Sequence, residues 1–156
     1  MYSGDNEYYL THTSVGTINS SGAIFLEATN NKDLNDYHTI VYGHNMKNGS
    51  MFAALRRYEY DPDFWKNHRY ITVETPEGTL TYEIFSVQLT DAYSEVYTVG
   101  FWPGEVYAGF VQRLKNASMY DTGVSVSDQD YVLTLSTCTN NADGRTVVHA
   151  KRIPTP

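Results

Sequence analysis

The chain contains one cysteine, Cys138, and five histidines. A thiol can do chemistry when it is reachable and partly ionised; packed away as a small hydrophobe, the usual fate of free Cys, it is inert. Cys138 closes the stretch Tyr131 to Cys138, in which Leu133 and Leu135 point one way and Val132, Thr134, Ser136 and Cys138 the other. It stands at a strand end, on a small polar face, before the loop Thr139-Asn140-Asn141-Ala142-Asp143-Gly144. On these grounds both readings stay open, a reachable nucleophile or a buried structural thiol.

His44 is the natural partner for such a thiol. It directly follows the β-prone run Thr39-Ile40-Val41-Tyr42, after Gly43 and before Asn45-Met46-Lys47-Asn48-Gly49. A histidine just past a strand end, on a Gly-flanked turn, sits where scaffolds display catalytic groups. His12, His38 and His68 lie in polar, loop-like contexts and read as solvated, and His149 reads as a hydrogen-bonded imidazole within a strand. Arg145 opens the strand after the Cys138 loop, so a hairpin brings the two to one sheet edge. Alone it is a surface cation; beside a Cys nucleophile its guanidinium can donate to the oxyanion that acyl transfer creates. One Cys, scattered histidines and no carboxylate at ligand spacing argue against a metal, and nothing points to a cofactor.

The elements that must hold these groups are mostly strands. Ala23 to Leu26, Thr39 to Tyr42, Tyr70 to Glu74, Thr79 to Leu89, Tyr131 to Cys138 and Thr146 to Ile153 are β-prone. Thr75-Pro76-Glu77-Gly78 suits a tight turn between two of them. Within Thr79 to Leu89 the apolar positions shift from Leu80, Tyr82 and Ile84 to Phe85, Val87 and Leu89, which signals a bulge or a strand buried on both faces. Three helices are expected: Met51 to Arg57 capped by Ser50, a short one after Asp61-Pro62 through Trp65, and Pro103 to Lys115 with Val106, Phe110, Val111 and Leu114 on one face.

The 156 residues make one domain, with a net charge of −7, 41% hydrophobic and 14% aromatic residues. An acidic chain with no basic run longer than two residues is a poor nucleic-acid binder. Its longest apolar run is five residues, far short of the ~20 a membrane span needs.

Thr134-Leu135-Ser136-Thr137-Cys138 followed by Arg145 resembles the active-site signature of sortases, the cysteine transpeptidases of Gram-positive surfaces. Thr39 to Met46, with Gly49-Ser50-Met51-Phe52, resembles the His segment of class B sortases. Asp5 to Leu10 and Gly22 to Leu26 look like earlier strands of that class, and the helix before the Cys strand is similar to its helical insertion. The resemblance runs from about Asp5 to Ile153 and implies a mainly β, closed sortase-like barrel with short helices. It also implies a single catalytic domain over 1–156, without the membrane anchor, N-terminal helices and first strand that usually precede it in class B.

By that resemblance, Cys138 attacks the carbonyl after Thr in an Asn-Pro-x-Thr-x or Leu-Pro-x-Thr-Gly sorting peptide. The thioester then passes to a peptidoglycan precursor or cross-bridge amine. His44 serves as acid and base, Arg145 steadies the oxyanion or positions the peptide, and Ser136 and Thr139 are further candidates for substrate contact. The implied location is the outer face of a Gram-positive cell, with the full-length protein membrane-anchored. The alternatives are a pilin-polymerising sortase, a Cys hydrolase, or a non-catalytic surface module with Cys138 buried. With reference pKa values of about 8.5 for thiol and 6.5 for imidazole, only a few per cent of thiols ionise near neutrality, which implies slow turnover.

Overall fold

A computed structural model of the protein describes residues 25–31, 33–44, 55–91, 93–138 and 144–154. Among the described residues six strands form one sheet: β1 (Phe25–Leu26), β2 (His38–His44), β3 (Tyr70–Thr75), β4 (Gly78–Thr90), β5 (Val132–Cys138) and β6 (Arg145–Ile153). Their order across the sheet is β1-β2-β5-β6-β4-β3, and every neighbouring pair is antiparallel except β2 with β5. Because β1 contributes two residues, five substantial strands carry the curl of a half-barrel. The mainly β, sortase-like expectation is met, in the form of a half-barrel where a closed barrel was expected. Among the described residues β1 and β3 remain the two edges of the sheet.

The hairpin β3–β4 turns at Thr75↔Gly78, where Gly78 takes φ 136°, a conformation that side chains disfavour. The apolar shift in β4 is a bulge: pairing with β6 runs through Ile84↔Ala150 and resumes at Ser86↔His149, leaving Phe85 as the extra residue. Its effect on packing is direct. Tyr82, Ile84 and Val87 join one apolar cluster, while Phe85 turns to a second. A bulge also strengthens the local twist, which helps the sheet to curl.

The two clusters lie on opposite faces, since successive residues divide between them: Val132 from Leu133, and Val147 from Val148. One face is covered by α1 (Leu55–Tyr60) and α2 (Pro62–Asn67) through Leu55, Tyr58, Phe64 and Trp65. As its sequence indicates, α2 starts at Asp61, whose carboxylate accepts from the Asp63 amide at 3.1 Å, with Pro62 in the first turn. It continues to Asn67, beyond the expected Trp65. Of the first expected helix, the described part runs from Leu55 to Tyr60, while its proposed cap Ser50 lies outside the described residues.

The other face is covered by α3 (Glu105–Asn116). Its buried stripe is Tyr107, Phe110, Val111 and Leu114, at spacing i, i+3, i+4 and i+7. The expected stripe began at Val106, but that side chain is 78% exposed. Tyr107 takes its place because its ring is apolar and its hydroxyl proton is shared between the carbonyls of Tyr37 and Asp130, both at 2.8 Å.

Candidate active site

The parallel pairing of β2 with β5 brings the two sequence-distant motifs together. Its register runs from His38↔Val132 to His44↔Cys138, so both strands end on the rung that carries the histidine and the cysteine. Adjacent strands lie about 4.8 Å apart, so the two backbones run side by side up to this rung.

Arg145 enters from the other side of β5. The antiparallel β5–β6 register reaches Ser136↔Val147, two residues short of Cys138 on β5 and of Arg145 on β6. Thr137 and Thr146 keep the hairpin closed up to that point: the Thr146 amide donates to Thr137 Oγ1 at 3.0 Å. Arg145 Nη1 donates to the carbonyl of Thr137 at 3.4 Å, so the guanidinium lies against the residue preceding Cys138. Arg145 is also paired through the backbone with Thr90 of β4. Thr139, like most of its loop, lies outside the described residues, as do Asn45 to Phe52 and the segment Asp5 to Leu10.

Two rungs before Cys138 on β5 is Ser136, in register with Tyr42. Ser136 is fully buried, and its hydroxyl lies 2.7 Å from Tyr97 Oη. Its side chain therefore faces protein. Tyr97 sits on a 3₁₀ turn (Glu95–Tyr97) whose Val96 amide donates to Ser94 Oγ, and its ring stacks on Tyr42 at 6.0 Å between centroids. The Tyr42 hydroxyl in turn reaches Glu27 Oε1 at 3.5 Å. Sequence reasoning missed Tyr97 and Tyr42, two among fourteen tyrosines with no spacing that marks them.

A second buried layer lies farther from the strand ends. His38 Nδ1 lies 2.6 Å from the Thr98 carbonyl, and His38 Nε2 lies 2.7 Å from Thr134 Oγ1. Thr134 Oγ1 also lies 2.7 Å from His149 Nδ1, and His149 Nε2 lies 3.0 Å from Gln88 Nε2. A carbonyl can only accept, so His38 Nδ1 donates to it and Nε2 accepts from the Thr134 hydroxyl. Thr134 then accepts from His149 Nδ1, and His149 Nε2 accepts from the Gln88 amide. Every proton is placed, and both rings are neutral.

His38 is thus not the solvated residue its polar neighbours in sequence indicated. It is fully buried, against Phe110 at 5.2 Å and Phe101 at 6.4 Å. His149 is the hydrogen-bonded strand imidazole expected of it, and His68 is exposed. Burial holds the pKa of His38 down to about 4, against a smaller opposing effect of the Thr98 carbonyl. Burial also lowers that of His149 to about 3, with repulsion from His38 adding to it. Neither ring can exchange protons with a substrate.

Comparison with known proteins bears on what such a site does. The Sortase domain family model matches residues 4–153. Sortase B of Listeria monocytogenes is 36% identical over 98% of this chain, and sortase B of Staphylococcus aureus is 31% identical over 75% of it. The chain spans 63% of the first protein and 48% of the second. The structure of a Staphylococcus aureus sortase B–substrate complex superposes with a TM-score of 0.93 at 26% identity, covering 100% of this chain and 73% of that one.

Proposed function

Because the chain belongs to the sortase family, we propose that it is a class B-type cysteine transpeptidase acting on sorting-signal peptides at a Gram-positive cell surface. The observation that carries this reading is the His44↔Cys138 register, which sets two separately recognisable motifs on one rung. The similarity to two sortase B proteins supports the class, and the substrate-bound relative supports peptide binding across this face.

In the proposed reaction the Cys138 thiolate attacks the carbonyl after Thr in an extended pentapeptide of the Asn-Pro-x-Thr-x or Leu-Pro-x-Thr-Gly kind. The C–N bond breaks, and His44 as imidazolium gives its proton to the departing amine. An incoming cell-wall amine loses a proton to His44, attacks the thioester and expels the Cys138 thiolate, which restores the starting thiolate and imidazolium. Arg145, fixed against the Thr137 carbonyl, is suited to donate to the tetrahedral oxyanion or to the peptide backbone. Thr139, directly after the nucleophile, is a further candidate for substrate contact.

The test is mass spectrometry of the protein with pentapeptide panels, with and without amines. An acyl-enzyme mass on Cys138 and an amine-dependent adduct are expected. Cys138→Ala should form neither. His44→Ala should lose turnover yet still be alkylated by iodoacetamide at high pH, where the thiol ionises unaided. An acyl mass on Cys138→Ala, or parental turnover in His44→Ala, overturns the assignment, and release of free acid alone indicates a hydrolase.

A further inference from the structure

Among the described residues, the strand that carries His44 pairs along its seven residues with β5, in the one parallel ladder, and at two positions with β1. Fully buried Ile40 and the ladder with β5 resist a slip by whole residues. Apolar packing is non-directional, however, and fixes a displacement of about 1 Å less sharply than hydrogen bonds of set length do. Such a displacement along the strand would move His44 relative to Cys138.

The hydrogen-bonded chain through Thr134 discriminates where packing does not. It joins β2 through His38, β5 through Thr134, β6 through His149 and β4 through Gln88, and so spans the strands of His44, Cys138 and Arg145. Its far end is the Thr98 carbonyl, next to Tyr97 that supports Ser136. His38, Thr134 and His149 are fully buried, so such a displacement would stretch the bonds of ring nitrogens and a hydroxyl with no water to replace the lost partners.

We propose that Thr134, held between His38 and His149, is a positioning residue that fixes the position of His44 beside Cys138. The proposal rests on the reading of His44 as acid–base and Cys138 as nucleophile. The chain's single direction gives it a spectroscopic signature: both rings carry their proton on Nδ1, the tautomer that a free imidazole disfavours.

The test compares the parent with Thr134→Val, which removes the hydroxyl, and Thr134→Ser, which keeps it, using one fluorogenic sorting peptide well below each melting temperature. Displacement of a catalytic pair by about 1 Å costs on the order of 10²-fold in rate. Thr134→Val should lose about that much in kcat with KM within about twofold, and Thr134→Ser should regain most of it. A merely structural hydroxyl would lower Tm and leave kcat of the folded enzyme alone. Parental kcat in Thr134→Val, or equal loss in Thr134→Ser, overturns the proposal. If Thr134→Val does not fold, Gln88→Met removes only the last donor of the chain, and an unchanged kcat there is equally fatal. Nitrogen-15 spectra of the parent read the tautomers independently of activity, and Nε2-protonated rings refute the chain. A parent that cleaves no peptide and is not alkylated at Cys138 sinks the catalytic reading instead, with the tautomer result still standing.

Discussion

Mild acid should destabilise this domain through His38 and His149, by an amount that follows from their burial. Both are fully buried as neutral rings, with pKa values of about 4 and about 3 against an ordinary 6.5. Between those values and 6.5 the unfolded chain binds protons that the folded chain refuses. Stability is therefore intact above about pH 7 and is lost as pH falls toward the folded values. At pH 5 each ring lies about 1.5 units below its unfolded value, worth roughly 2 kcal/mol at 1.36 kcal/mol per unit, or about 4 kcal/mol for the pair. That sum depends on both folded values lying below 5, not on how far below. The steepest slope approaches two protons, about 2.7 kcal/mol per pH unit. Urea unfolding at pH 8, 7, 6 and 5 and fixed ionic strength measures it in the parent and in His149→Gln. The parent should lose about 4 kcal/mol between pH 8 and 5 and the variant about half of that, whatever the substitution does at pH 8. A parental slope below half a proton, or an undiminished slope in the variant, refutes the argument that both rings stay neutral.

Arg145→Lys should be almost as inactive as Arg145→Ala, each losing about 10²–10³ in kcat, because Lys keeps the charge without the planar pair of donors; steady-state kinetics in which Lys restores most of the activity would show that charge alone matters. Tyr107→Phe keeps the buried ring and removes the hydroxyl shared by two carbonyls. The Tyr37 carbonyl also accepts from the Val132 amide, so the cost should be modest, about 1 kcal/mol in urea unfolding, with kcat unchanged.

What the sequence disclosed was local. The β4 bulge could be read because one extra residue moves the apolar positions from Tyr82 and Ile84 to Val87 within a few places. The start of α2 was legible because Asp61 and Pro62 act on amides within one turn. The pairing of β2 with β5 has no such local signal, since nothing in Thr39 to Tyr42 names its neighbour; only the two motifs recognised together pointed to it. His38 was misplaced for the same reason. Its burial comes from Phe101 and Phe110, which reach it from a distant part of the chain, while its sequence neighbours Asn35 and Asp36 are polar. Val106 and Tyr107 differ by one helical position, and a tyrosine's amphipathic ring hides which of the two faces the core.

The strand order has a consequence for the nascent chain. Among the described strands β6 comes last in sequence, yet it lies in the middle of the sheet, joining β1-β2-β5 to β4-β3. Before it emerges from the ribosome, β5 and β4 each present a bare edge and the two halves have no ladder between them. The hairpin β3–β4 can form early, being local, but the strands bearing His44 and Cys138 are a long loop apart and gain little until β6 closes beside them. Assembly of the sheet is therefore nearly all-or-none, so a chain that lacks β6 holds β2 and β5 without the ladder beside them. The rung of His44 and Cys138 is thus complete only in a molecule in which β6 is in place.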